Sequence, residues 1–151
     1  MANLDFKPDL KLGNDGETVV RQFLETNGCK FINSNNDNKY DIKMLTNNIE
    51  TTYEIKTDVF VAPKPFDSGN IFIELESRGK LSGINTTQAK WFVTYFLYLN
   101  ELWFIETTKL KKLIQDNNFM ISYNAGDIGS GTHGYLIKRD PIRSHFHVHK
   151  I

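Results

Sequence analysis

Three side chains in the first third of the chain have the types and spacing for phosphodiester chemistry: Asp41, Glu54 and Lys56. They lie in Tyr40-Asp41-Ile42-Lys43 and Tyr53-Glu54-Ile55-Lys56-Thr57-Asp58, two segments that alternate apolar and charged residues. That alternation is the period-two signature of half-buried strands. It puts Tyr53 and Ile55 on one face of the second strand and Glu54, Lys56 and Asp58 on the other. Glu54 and Lys56 are then roughly 7 Å apart along the strand. Asp41, on the neighbouring strand, comes within about 5 Å of one of them when the register aligns.

Mg²⁺ and similar hard cations bind carboxylate and carbonyl oxygens and keep several waters. Asp41, Glu54 and the main-chain carbonyl of Ile55 form such a donor set. A divalent cation there would acidify water and offset phosphate charge, and Lys56 would add a compact positive charge beside the scissile group. A lone Glu-x-Lys on a strand is more often a solvated ion pair. The addition of Asp41 at this distance is what turns the pattern into a candidate site.

These side chains need a framework to hold them. Asn14 and Glu17 have the spacing of a capping box, so the sequence predicts a helix over residues 14–27, stopped by Gly28. Val20, Phe23 and Leu24 form its buried stripe, and Glu17 sits at the edge of that stripe. Residues 1–12 read as an extended lead-in and 29–33 as a short strand. The two charged segments, 40–45 and 50–61, read as an antiparallel hairpin ended by Pro63 and Pro65. Residues 71–77 form a third strand and 85–90 a short helix. Residues 91–99 and 102–106 form a second hairpin, its first strand buried on both faces. A helix over 107–116 follows, then strands over 119–123 and 135–138. The tail sets His145, His147 and His149 against Ser144, Phe146 and Val148. Three imidazoles on one strand face would more often be a polar face than a metal chelate.

Composition sets the outer bounds. A chain of 151 residues suits a single domain with a substantial core. Its 18 basic and 18 acidic residues cancel, so contact with DNA would depend on a local basic patch. Arg78, Lys80 and Lys90, all in the region after the third strand, are the candidates for that patch. One cysteine, Cys29, excludes an intrachain disulfide and a multi-cysteine zinc site and fits a cytoplasmic setting. No stretch is apolar enough to span a membrane, and the start of the chain lacks the apolar run of a signal peptide.

The order of a helical Glu17, a strand with Asp41, a strand with Glu54-Ile55-Lys56 and a following polar helix resembles the PD-(D/E)XK nuclease superfamily. That group includes restriction endonucleases, lambda-type exonucleases and Holliday-junction resolvases. The likeness covers about residues 13–98 and leaves 99–151 as an extension. It implies an α/β fold with a restriction-endonuclease-like core, a mixed central β-sheet flanked by helices. It also implies Mg²⁺- or Mn²⁺-dependent hydrolysis of DNA, with Asp41 and Glu54 as metal ligands and Lys56 as the catalytic lysine. Glu17 would be an auxiliary acid acting through water, and Gln88 would be the polar residue that many members place near the site. Tyr40 stands where proline is frequent in the superfamily. A weaker likeness to short phage-encoded members runs from Ile73 to Trp91. A resolvase of this type would act as a homodimer on a four-way junction. The competing expectation is a catalytically inactive module of the same fold that binds DNA or a protein, and RNA is a third substrate class.

Overall fold

The computed structural model describes residues 9–35, 37, 39–58, 68–125 and 131–151. Residues 1–8 of the expected lead-in over 1–12, and the strand end at 59–61 with Pro63 and Pro65, lie outside the described residues. The structure is mixed α/β, built on two sheets and few helices.

Helix α1 (Asp9–Thr26) leads into β1 (Lys30–Ser34), β2 (Ile42–Thr46) and β3 (Ile49–Asp58). The three strands form an antiparallel meander, with Ile42 opposite Tyr53. Asn47 and Asn48, both at positive φ (51° and 64°), make the tight turn between β2 and β3, a conformation that asparagine tolerates and that suits two-residue hairpins. β4 (Asn70–Ser77) and the short β5 (Lys80–Leu81) come next, then a 3-10 turn over Gly83–Asn85. The chain returns to the first sheet with β6 (Trp91–Phe96), parallel to β3, and β7 (Glu101–Glu106), antiparallel to β6. Helix α2 (Thr107–Asp116), β8 (Ile121–Ala125), β9 (Thr132–Lys138), α3 (Arg139–Ile142) and β10 (His147–Lys150) complete it.

The larger sheet has the order β1-β2-β3-β6-β7-β10, and the smaller has β5-β4-β9-β8. One face of the larger sheet packs under α1: Ile42, Met44, Tyr53, Ile55, Val93, Leu102 and Phe104 meet Val20 and Leu24. The opposite face, with Phe92, Phe96, Trp103 and Ile105, meets Ile71 and Ile73 of the small sheet and Leu110 and Leu113 of α2. The alternation of β6 and β7 between these cores is the two-sided burial that their unbroken apolar runs predict.

Four expectations need correction. The helix begins at Asp9, so Asn14 lies inside it and is not its cap. Residues 86–90 are not helical: a 3-10 turn ends at Asn85 and an extended segment follows. The sheet is mixed, but helices cover it unevenly, because β4, β5, β8 and β9 form a second sheet on the face away from α1. The histidine tail does not form one strand, since His145 belongs to a 3-10 turn and only His147 and His149 lie on β10. Those two rings pack against Trp91, Phe23 and Phe104, with centroids 5.0 to 5.9 Å apart.

Candidate active site

Asp41 sits one residue before β2, where the β2–β3 ladder runs out. Its N–H donates to the Tyr53 carbonyl at 2.9 Å, and its Oδ2 accepts the Ile55 N–H at 2.7 Å. The two bonds clamp the carboxylate against β3 beside Glu54. The N–H and C=O of one strand residue point to the same side, so the Ile55 carbonyl also faces Asp41. The hydrogen bond uses one carboxylate oxygen and leaves the other available for a further contact.

Glu54 and Lys56 project from the β3 face opposite Tyr53 and Ile55, toward the small sheet. Glu54 is only 9% exposed, and the Lys56 Nζ lies 3.7 Å from its Oε2. With Asp41 they line a polar cleft of about 430 Å³ between the two sheets. Asn35 also lines it from the larger sheet's side, and Glu74, Lys80, Leu81 and Ser82 line the opposite wall. Ser82 donates its hydroxyl to the Glu74 carboxylate at 2.5 Å, which fixes that wall.

The carboxylates repel one another. Burial first, then the Asp41 charge, pushes Glu54 from 4.5 up to about 7, against the opposing pull of Lys56 and a hydrogen bond from Thr87. Asp41 is raised by burial, and the Ile55 N–H and the Lys56 charge hold it back. Glu17 rises to about 7, through burial and then through the charge of Asp41. The three acids therefore share one electrostatic environment although Glu17 does not line the cleft.

Glycine at position 16 brings Glu17 this close. A Cβ there would overlap the Thr57 hydroxyl, so only glycine lets α1 settle onto the end of β3. The one-turn offset that placed Glu17 at the edge of the buried stripe is realised, with Val20 fully buried and Glu17 half-buried.

Among the other expected residues, Lys80 lines the cleft and Arg78 occupies the β4–β5 turn next to it. The structure does not bring Gln88 or Lys90 there. Gln88 is exposed on the extended segment that replaces the expected helix. Lys90 is held away by Glu106, with its Nζ 3.8 Å from that carboxylate. Sequence reasoning missed Thr87, which is buried near Glu54 and lowers its pKa, with its hydroxyl directed at the Lys39 carbonyl at 3.4 Å and accepting the Ala89 N–H at 3.1 Å. It lies directly before Gln88 on an extended segment that turns Thr87 inward and Gln88 out. Ser82 was missed as well, and nothing in its local sequence distinguishes it from any loop serine.

The donor chemistry fits a hard divalent cation. Two carboxylates and a main-chain carbonyl converge where Lys56 offsets only part of the repulsion between acids, and a cation would offset more of it. Among the described residues, no group of three or more His, Cys, Asp or Glu side chains is placed to hold a metal ion. Any cation would therefore rely on Asp41, Glu54, the Ile55 carbonyl and water. No helix among the described residues is long and apolar enough to cross a membrane. No protein-family model, curated protein or solved structure matches the chain.

Proposed function

We propose that this chain is a metal-dependent deoxyribonuclease of the PD-(D/E)XK type, hydrolysing DNA phosphodiester bonds in the cleft between its sheets. The observation that carries this reading is the clamp on Asp41. Its carboxylate is tied to the Ile55 N–H, between the Glu54 and Lys56 side chains of the same strand, at the floor of a polar cleft. The succession of α1 and the β1–β3 meander supports it, in the order that the resemblance implies, with an extended segment where the resemblance implies a polar helix.

Asp41, Glu54 and the Ile55 carbonyl would hold Mg²⁺ or Mn²⁺. When bound, the cation supplies acidified water and charge neutralisation at the phosphate. Lys56 holds the attacking water or a phosphate oxygen in line. Thr87 favours the ionised form of Glu54, and Glu17 adds negative charge behind Asp41, which strengthens the hold on a cation. Lys80 and Arg78 bring the backbone of the strand to the cleft, providing the local positive charge that a chain of zero net charge otherwise lacks.

The test is digestion of labelled linear, single-stranded, supercoiled and branched DNA with Mg²⁺ or Mn²⁺, beside Lys56→Ala and an EDTA control. Cleavage of at least one form that is lost with EDTA and with Lys56→Ala is expected. Equal inertness of wild type and variant on all four forms would remove the catalytic reading.

A further inference from the structure

The cleft is narrow and its carboxylates are deep. They lie at the floor, with Glu54 only 9% exposed, and the facing wall is formed by β4, β5 and the turn that follows them. A volume of about 430 Å³ is that of a small-molecule pocket. It seats on the order of one or two nucleotides, given that drug-sized ligands fill clefts of about 300–1,000 Å³.

The facing wall is also rigid. Its hairpin turns through Arg78 and Gly79, at φ 55° and 77°, the tight two-residue geometry that leaves little freedom. The Ser82 N–H bonds the Leu75 carbonyl at 2.9 Å, and the Asn85 side chain bonds the same carbonyl at 3.1 Å. Gly83 lies so close to Glu74 that a Cβ would overlap the Glu74 carbonyl oxygen.

On this wall stands Leu81, 60% exposed and lining a cleft whose other named walls are carboxylates, lysines and hydroxyls. Lys80 precedes it on β5 and Arg78 occupies the adjoining turn, both exposed, while Glu76 stands across the ladder from it. An apolar side chain next to cations on a short hairpin has the chemistry of a surface that meets both a base and the phosphates around it. Apolar wedges unstack bases, and basic grooves follow the backbone of single strands.

We propose that the DNA strand cut in this cleft is unpaired where it enters, and that the β4–β5 hairpin, through Leu81, Arg78 and Lys80, divides it from its partner strand. The inference rests on the nuclease reading and names the substrate class of that same site: DNA with a single-stranded segment beside a duplex.

The test compares Mg²⁺-dependent cleavage of one labelled sequence in three forms: single strand, full duplex, and duplex carrying an unpaired bubble. Wild type cuts the single strand and the bubble at least about tenfold faster than the full duplex. Leu81→Ala, whose melting temperature matches wild type because the side chain is exposed, lowers the ratio of bubble to single-strand cleavage about tenfold. A 2-aminopurine at the bubble edge brightens on binding wild type more than on binding Leu81→Ala, which reports unstacking without reference to the cut. Full duplex cut as fast as single strand, or a ratio unmoved by Leu81→Ala, overturns this inference and leaves the nuclease reading intact. No cleavage of any form removes the nuclease reading and this inference with it.

Discussion

The two faces of the larger sheet each carry a hollow, and β3 contributes to both. On the α1 face, Phe23, Tyr53, Trp91, Phe104, His147 and His149 surround an apolar depression of about 290 Å³. On the other face, the side chains one residue away along β3, Glu54 and Lys56, open onto the polar cleft. The aromatic hollow resembles a ligand pocket in composition, yet its rings pack against one another. The polar cleft gathers like charges against their own repulsion. Folding works against that arrangement, and strongly perturbed acids in a cleft mark it as the candidate for function.

Substitutions should separate the two faces sharply. Asp41→Asn, Glu54→Gln and Lys56→Ala each lower DNA cleavage by about 100-fold or more. His149→Ala, on the aromatic side, stays within about twofold in the same gel assay. A comparable loss from His149→Ala would erase the distinction.

Gly16→Ala tests how α1 is seated between the two. It forces a methyl group into the Thr57 hydroxyl, with an expected cost of about 1–3 kcal/mol in denaturant unfolding. Gly16→Ala combined with Thr57→Ala recovers part of that loss. Full stability of the single variant would show that the helix does not rest on β3 in this way.

The acids also set a pH dependence. Glu54 and Glu17 titrate near 7 in the folded chain, against 4.5 ordinarily. Between those values the folded form binds protons that the unfolded chain has lost. Their contribution to stability is therefore complete below about pH 4.5 and declines as pH rises toward 7. In EDTA, calorimetry should find Glu54→Gln melting a few degrees above wild type at pH 8, with the gap closing at pH 5. A wild-type melting temperature that rose from pH 5 to 7 through these groups would contradict the repulsion.

The smallest expected effects concern the basic residues. Lys80→Ala weakens DNA binding and lowers the salt slope of the binding constant by about 1. Lys90→Ala, which removes only the pair with Glu106, changes binding and stability by less than about 0.5 kcal/mol. Equal effects from the two would mean that the cleft wall and the far end of β6 contact DNA alike.

The strands that carry Asp41, Glu54 and Lys56 were legible because their alternation is local. Tyr53 through Asp58 specifies which side each residue faces, and the Asn47-Asn48 turn fixes the register that puts Asp41 next to Ile55. Strand partnership was not legible. Ile71, Ile73 and Leu75 read as a strand, but the same alternation suits either sheet, and only the distant β9 selects the second one. That pairing builds the cleft wall, so Ser82 and Leu81 could not be placed from the sequence. The error at 86–90 had a different cause. Asn85, Thr86 and Thr87 favour a helix start, but the Gln88 N–H bonds the Lys39 carbonyl and the Lys90 N–H bonds Thr52. Tertiary hydrogen bonds hold the segment extended against its local preference, and in doing so turn Thr87 inward and Gln88 out. The histidine tail failed at a boundary: the alternation of Phe146 to His149 is real, and His145 lies one residue beyond it.

The account depends on the polar cleft binding a divalent cation through Asp41 and Glu54. Titration of Mn²⁺ into the purified chain at pH 8, followed by calorimetry and by the electron paramagnetic resonance of free Mn²⁺, measures this directly. Saturable binding by wild type that is lost in Asp41→Asn and in Glu54→Gln, with His149→Ala unchanged, is the predicted result. Binding that survives both carboxylate substitutions, or no binding by the wild type, would contradict it.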